Sequence, residues 1–126
     1  MWDNLAYARE RLPNLRINLR RVLAAGVPVA IGTDAGFPGV VPGVSAQLEL
    51  ILHVESGVSP LEAIRLSTMG GARMPGRETE TGSLGPGKAA DLVVLDADPI
   101  ADIHNLRKVS LVLKGGVVYK PDALLR

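Results

Sequence analysis

Apolar positions along the chain change their period from helical to strand-like. Leu12, Leu15, Leu19, Val22 and Leu23 recur on one helical face, while Arg16, Arg20 and Arg21 fall elsewhere. The spacing predicts a helix in "NLRINLRRVLAAG", closed by Gly26 in the left-handed position that ends helices. A weaker helical stretch over 4–12 precedes it, with Asp3 as its cap. The next run, "VPVAIG", is short, β-branched and apolar at nearly every position. That is the pattern of a parallel strand covered on both faces, and Pro28 is tolerated near its start.

A Gly- and Pro-rich stretch, "AGFPGVVPGVS", follows as a loop, either one wall of a pocket or a simple connector. "AQLELILHVESG" reads as a helix ending at Gly57, with Leu48, Ile51, Leu52 and Glu55 sharing a face. "SPLEAIRLSTMGG" opens with a strong start signal: Ser59 as cap, Pro60 in the first turn and Glu62 completing a capping box. Gly70 and Gly71 are read as its end. Beyond a polar, Gly-rich crossing, "RMPGRETETGSLGPGKAAD", the period is that of strands. "DLVVLD" is one strand, and "KVSLVLKGGVVYK" is a hairpin turning at Gly115-Gly116. The change of period divides the chain into an α/β part, roughly residues 1–70, and a smaller β part, roughly residues 80–120.

Composition narrows the function classes. A chain of 126 residues can bury one modest core. The 14 basic and 13 acidic residues nearly cancel, so no global field draws nucleic acid or an anionic membrane. The early arginines read as the wet face of helices. Without cysteine there is neither a disulfide nor a thiolate metal site. No apolar run has signal-peptide or membrane-spanning length, which leads us to expect a soluble, cytoplasmic protein.

Asp34 is the leading candidate for chemistry. It lies just past the carboxyl end of the predicted strand, where ligands bind in parallel α/β folds. A fixed carboxylate there can bind a cation and accept a proton from water; equally, it can form a turn and nothing more. His53 and His104 are the only histidines, and no His-x-His or His-Glu-x-x-His pair occurs. A zinc site takes three or four protein ligands, which these residues do not make. Asp96, Asp98 and Asp102 in "DADPIAD" fail as an EF-hand loop, because Ala101 and Arg107 stand where Gly and Glu are required; turn and cap roles remain. Gly32, Gly36 and Gly39 make no nucleotide fingerprint, and Lys88 lacks the Ser or Thr that follows a P-loop lysine.

"LRRVLAAGVPVAIGTDAG", "LELILHVESGVSPLEAIRLST" and "TGSLGPGKAADLVVLDADPIADIHNLRKVSLVLKGGVVYK" together, in order and spacing, resemble the C-terminal end of the metal-dependent amidohydrolases. The imidazolonepropionase-like and Xaa-Pro-dipeptidase-like members are the most similar. The resemblance implies an α/β fold: the C-terminal piece of a (β/α)8 barrel of the TIM type, plus the C-terminal strands of a small β-sandwich. It makes "VPVAIG" the last barrel strand, residues 1–78 barrel and residues 79–126 sandwich.

The resemblance also assigns Asp34 a role, as a metal ligand and as the catalytic proton shuttle in hydrolysis of an amide or other C–N bond. A divalent metal, zinc foremost and as one or two ions, would activate the water. The family's other ligands have no counterpart in this chain. We therefore expect a C-terminal segment, inactive alone, that acts on a small amide or dipeptide-like substrate once joined by copies of itself or by a complementing N-terminal segment. The alternative is an autonomous, non-catalytic β-rich binding or assembly module in which Asp34 is a turn residue.

Overall fold

A computed structural model describes residues 3–121, with side chains from residue 10 onward. The Asp3 side chain expected to cap the first helix lies outside the described residues. The two early helical stretches form one helix, α1, Asp3–Ala24, with Pro13 inside it. Proline deprives the helix of one hydrogen bond, but its φ is already helical, so the chain continues through it. At the far end the Val27 and Gly26 amides donate to the Val22 and Leu23 carbonyls at 3.3 and 3.0 Å, and Gly26 has φ 70°. This is the paired closure of a Schellman motif.

Helix α2, Val44–Glu55, closes in the same way at Gly57. Helix α3, Pro60–Arg65, starts as its capping residues predict, with Ser59 Oγ accepting the Glu62 amide at 3.2 Å. It does not stop at Gly70 and Gly71. A π turn, Leu66–Gly70, carries it into α4, Gly71–Arg73. Both glycines have helical backbone angles, with φ −59° at each. The left-handed stop is Gly76, φ 73°, where the Arg77 and Gly76 amides return to the Ala72 and Arg73 carbonyls at 2.8 and 2.9 Å.

The β part is a meander of β1, Leu92–Leu95, β2, Val109–Lys114, and β3, Val117–Tyr119, all antiparallel in the order β1-β2-β3. The register pairs Val93 with Val112 and Leu113 with Val118, with an irregularity between Val94 and Leu95. The hairpin turn stands where predicted, with Gly115 and Gly116 at φ 58° and 82°. A 3-10 turn, Ile103–Arg107, packs the sheet on the helices. Ile103 joins Leu50 and Ile51 in one buried cluster, and Gln47 Nε2 donates to the Leu106 carbonyl at 3.2 Å.

A second cluster, Val58, Ala63 and Leu66, takes Leu19 and Leu23 from α1. Ile31 and Val54 pack against both clusters. The expected helix faces are only partly covered. Leu12, Leu15 and Val22 are exposed at 44, 59 and 38%, and α2 buries Leu50 and Ile51 rather than Leu48 and Leu52. Of α1, Leu19 and Leu23 pack on the core, and α2 turns Leu50 and Ile51 toward the 3-10 turn. The predicted strand over 27–31 is irregular, because no described residue offers it a ladder partner. The chain exposes 9200 Å² in all, against about 6,500 Å² for a compact monomer of this size. Among the described residues no helix is long and apolar enough to cross a membrane.

Candidate functional site

The segment that leads to Asp34 is held from one side. The Ile31 amide donates to the Leu66 carbonyl at 3.3 Å, a bond from irregular backbone to the first residue of the π turn. Ile31 itself packs against both buried clusters. Three residues later the chain reverses. The Phe37 amide donates to the Asp34 carbonyl at 3.2 Å, and the Val40 amide to the Phe37 carbonyl at 2.9 Å.

Asp34 has φ 51°, the one non-glycine residue in the left-handed region among those described. Aspartate tolerates that region better than most residues, yet the conformation still costs free energy. The turn uses only the backbone of Asp34. Its side chain is exposed and makes no hydrogen bond among the described residues, so no Asx turn forms. The result is a carboxylate at the exit of an anchored segment, with its acceptor capacity unspent.

Most of the other candidates are occupied, although the exposed Asp96 carboxylate, just past β1, makes no hydrogen bond among the described residues. His53 Nδ1 lies 2.8 Å from the Glu49 carbonyl within its own helix. His104 Nδ1 lies 2.9 Å from Asp102 Oδ1, which also accepts the His104 amide and caps the 3-10 turn. These bonds, the backbone one first, hold the Asp102 carboxyl below its ordinary value of 3.8. Asp98 Oδ1 accepts the Ile100 amide at 2.8 Å. The "DADPIAD" carboxylates Asp98 and Asp102 are thus turn and cap residues, as their sequence indicated. Lys88 donates to Ser83 Oγ at 2.7 Å and to the Glu78 carbonyl, tying the crossing segment to itself.

Asp91 was not singled out from the sequence. Its carboxylate accepts Lys114 Nζ and the Gly115 amide, bracing the hairpin turn from the adjacent strand, and those bonds hold its pKa below 3.8. A signal existed: an acidic residue just before one strand, with lysine and two glycines at the turn of the next pair.

Among the described residues no three His, Cys, Asp or Glu side chains gather where they could hold a metal ion. Asp34 alone is one donor where three or four are needed, so the residues present do not make a metal site by themselves. The two best-formed concavities among the described residues are not lined by the loop over 35–44. The larger of the two best-formed concavities, about 600 Å³, runs along β1 between Leu84 and Pro99. The other lies beside Leu12 and Arg16 on α1. At the end of the Ile31 segment the described residues present an exposed carboxylate, Asp34, with no side-chain partner.

Comparison with known proteins gives this arrangement a context. The family model described as "Amidohydrolase family" matches residues 1–119. Imidazolonepropionase from Geobacillus kaustophilus is 39% identical over 107 residues, 82% of this chain and 25% of that protein. The crystal structure of a Xaa-Pro dipeptidase with bound methionine superposes with a TM-score of 0.74 at 35% identity, covering 86% of this chain and 26% of that one. Molinate hydrolase superposes with a TM-score of 0.72 at 34% identity, covering 79% of this chain and 25% of its own. These solved neighbours imply a TIM-barrel-related α/β fold. The chain spans about a quarter of the length of the relatives it matches.

Proposed function

Because the chain belongs to the amidohydrolase family, we propose that it forms the carboxyl-terminal portion of an enzyme that hydrolyses C–N bonds, with Asp34 as its catalytic carboxylate. The observation that carries the reading is the free Asp34 side chain, held at φ 51° on the exit of a segment tethered at Ile31. The turn is made by the backbone of Asp34 and leaves the carboxylate unbonded.

In this reading residues 1–78 belong to the barrel, residues 79–126 to the small β-sandwich, and "VPVAIG" is the last barrel strand. Its unpaired backbone would find a ladder partner in polypeptide supplied by a complementing N-terminal segment or by further copies. The substrate is a small amide or dipeptide-like molecule, in keeping with relatives named imidazolonepropionase and Xaa-Pro dipeptidase. Asp34 acts as general base and then as general acid. It takes a proton from the attacking water as the C–O bond forms, and delivers it to the nitrogen as the C–N bond breaks. The reading includes a divalent ion, zinc foremost, as one or two ions. This chain contributes one donor to it, Asp34.

The test replaces the matching quarter of the Xaa-Pro dipeptidase with this chain and follows hydrolysis of Ala-Pro. The chain alone should be inactive and the chimera active. Asp34→Asn in the chimera should lower kcat by about 10²–10⁴-fold, the usual contribution of a positioned acid–base group. An Asp34→Asn chimera as fast as its parent would return Asp34 to the role of a turn residue.

A further inference from the structure

The π turn Leu66–Gly70 is pressed between two stretches of backbone. On one side lies the segment leading to Asp34. A Cβ on Gly70 would sit 2.6 Å from the Val29 carbonyl oxygen and 3.4 Å from Ala30 Cα. On the other side the crossing segment arrives at Gly82, where a Cβ would sit 2.6 Å from Ala72 Cβ and 2.9 Å from the Thr68 carbonyl oxygen. Neither wall is the end of a flexible side chain, so neither yields cheaply.

Gly70 is not there for conformational freedom, since its φ is an ordinary helical −59°. What the position needs is the absence of a side chain. Its neighbour Gly71 has the same φ and would meet nothing within 4 Å. A π turn adds a residue to one helical turn and re-aims the groups around it, and such turns concentrate at functional sites. Here it offers the Leu66 carbonyl to Ile31 and the bare Gly70 backbone to Val29. Those two contacts set where the segment leaves the core, and Asp34 follows three residues beyond Ile31.

Resting on the function proposed above, we infer that Gly70 is a positioning residue for Asp34. A methyl group there forces the Val29 carbonyl back by several tenths of an ångström, because an ordinary contact begins near 3.4 Å. That shift loosens the Ile31 bond and moves the carboxylate. Misplacement by about 1 Å costs a catalytic group up to about 10²-fold in rate, so alanine at Gly70 should slow the chemical step while leaving substrate binding alone.

The experiment uses the chimera with the Xaa-Pro dipeptidase and Ala-Pro as substrate. Gly70→Ala is expected to lower kcat by about 10- to 100-fold with KM unchanged, and to speed hydrogen exchange of the Ile31 amide. Gly71→Ala, the same chemical change one residue away, should leave kcat, KM and exchange at their parent values. Ala72→Gly frees space on the Gly82 side, so that the turn can retreat from Val29, and Gly70→Ala/Ala72→Gly should recover part of the lost kcat. If Gly70→Ala does not fold by circular dichroism, the double variant is compared with Ala72→Gly alone, and a lower kcat with faster Ile31 exchange is still expected. Parent kcat in the folded Gly70→Ala chimera, parent exchange at Ile31, or equal loss with Gly71→Ala each overturns the inference. Asp34→Asn in the same chimera separates the levels. If that variant keeps full turnover, the functional reading and this inference fall together. If it loses turnover while Gly70→Ala does not, only the positioning role falls.

Discussion

Alanine at Gly71 should stabilise the chain and alanine at Gly76 should destabilise it. Gly71 has helical angles, φ −59° and ψ −35°, and a methyl group there meets nothing within 4 Å. Alanine restricts the unfolded chain and favours the helix, a gain of about 0.5–1 kcal/mol. Gly76 also has open space around its missing side chain, but its φ is +73°. The cost of alanine there is purely that of the backbone, about 1–2 kcal/mol. The two substitutions are chemically identical and sterically unopposed, so only the helix boundary decides their signs. Urea unfolding followed by circular dichroism at 222 nm separates them. With a slope of about 1 kcal/mol per molar urea for a small chain, the midpoint should rise by about 0.5–1 M for Gly71→Ala and fall by about 1–2 M for Gly76→Ala. A lower midpoint for Gly71→Ala would refute the reasoning, for it would put the left-handed helix end at Gly71, where the sequence pattern first suggested it. An unchanged midpoint for Gly76→Ala would do the same from the other end.

Two further outcomes follow from contacts already described. Ile51→Ala removes a side chain that is 3% exposed and shared between α2 and the Ile103 turn; it should cost about 2–5 kcal/mol and, in the same urea titration, loosen the β meander along with the helices. Asp91→Asn should weaken the hairpin and flatten its acid transition: the folded pKa is held below 3.8 by Lys114 and Gly115, so the stability this carboxylate adds is complete above 3.8 and is lost as pH falls toward the folded value, which amide exchange at the β2–β3 turn across an acid series reads directly.

The features legible in the sequence were those decided within a few residues. The Ser59 cap, Gly26, Gly57 and the Gly115-Gly116 turn each satisfy backbone groups a few positions away, and the structure uses them as the sequence suggested, whereas the Glu62 carboxylate expected to complete the capping box makes no bond back to the Ser59 amide. Gly70 and Gly71 misled because glycine answers two different needs. It permits positive φ, and it permits close approach; the letters do not say which. Gly76 meets the first need and Gly70 the second. At the site, the position of Asp34 after an apolar run was readable. Its left-handed φ and its unbonded side chain were not, since both depend on where Ile31 and Phe37 are held by distant backbone. The π turn had no signal at all in the helical period of residues 59–71.

The remaining differences between sequence pattern and structure have one physical source. Leu12, Leu15 and Val22 repeat as a helix face that expects cover, and "VPVAIG" repeats as a strand that expects neighbours on both edges. In the structure the first set is exposed and the second is unpaired. A hydrophobic period records that a face is to be buried, but not what buries it. At 9200 Å² exposed, the chain shows roughly 2,700 Å² more than a compact monomer of its mass. In the function proposed above, the cover comes from a complementing N-terminal segment or from further copies, which would give the Ile31 segment ladder partners and the Asp34 carboxylate a wall opposite it.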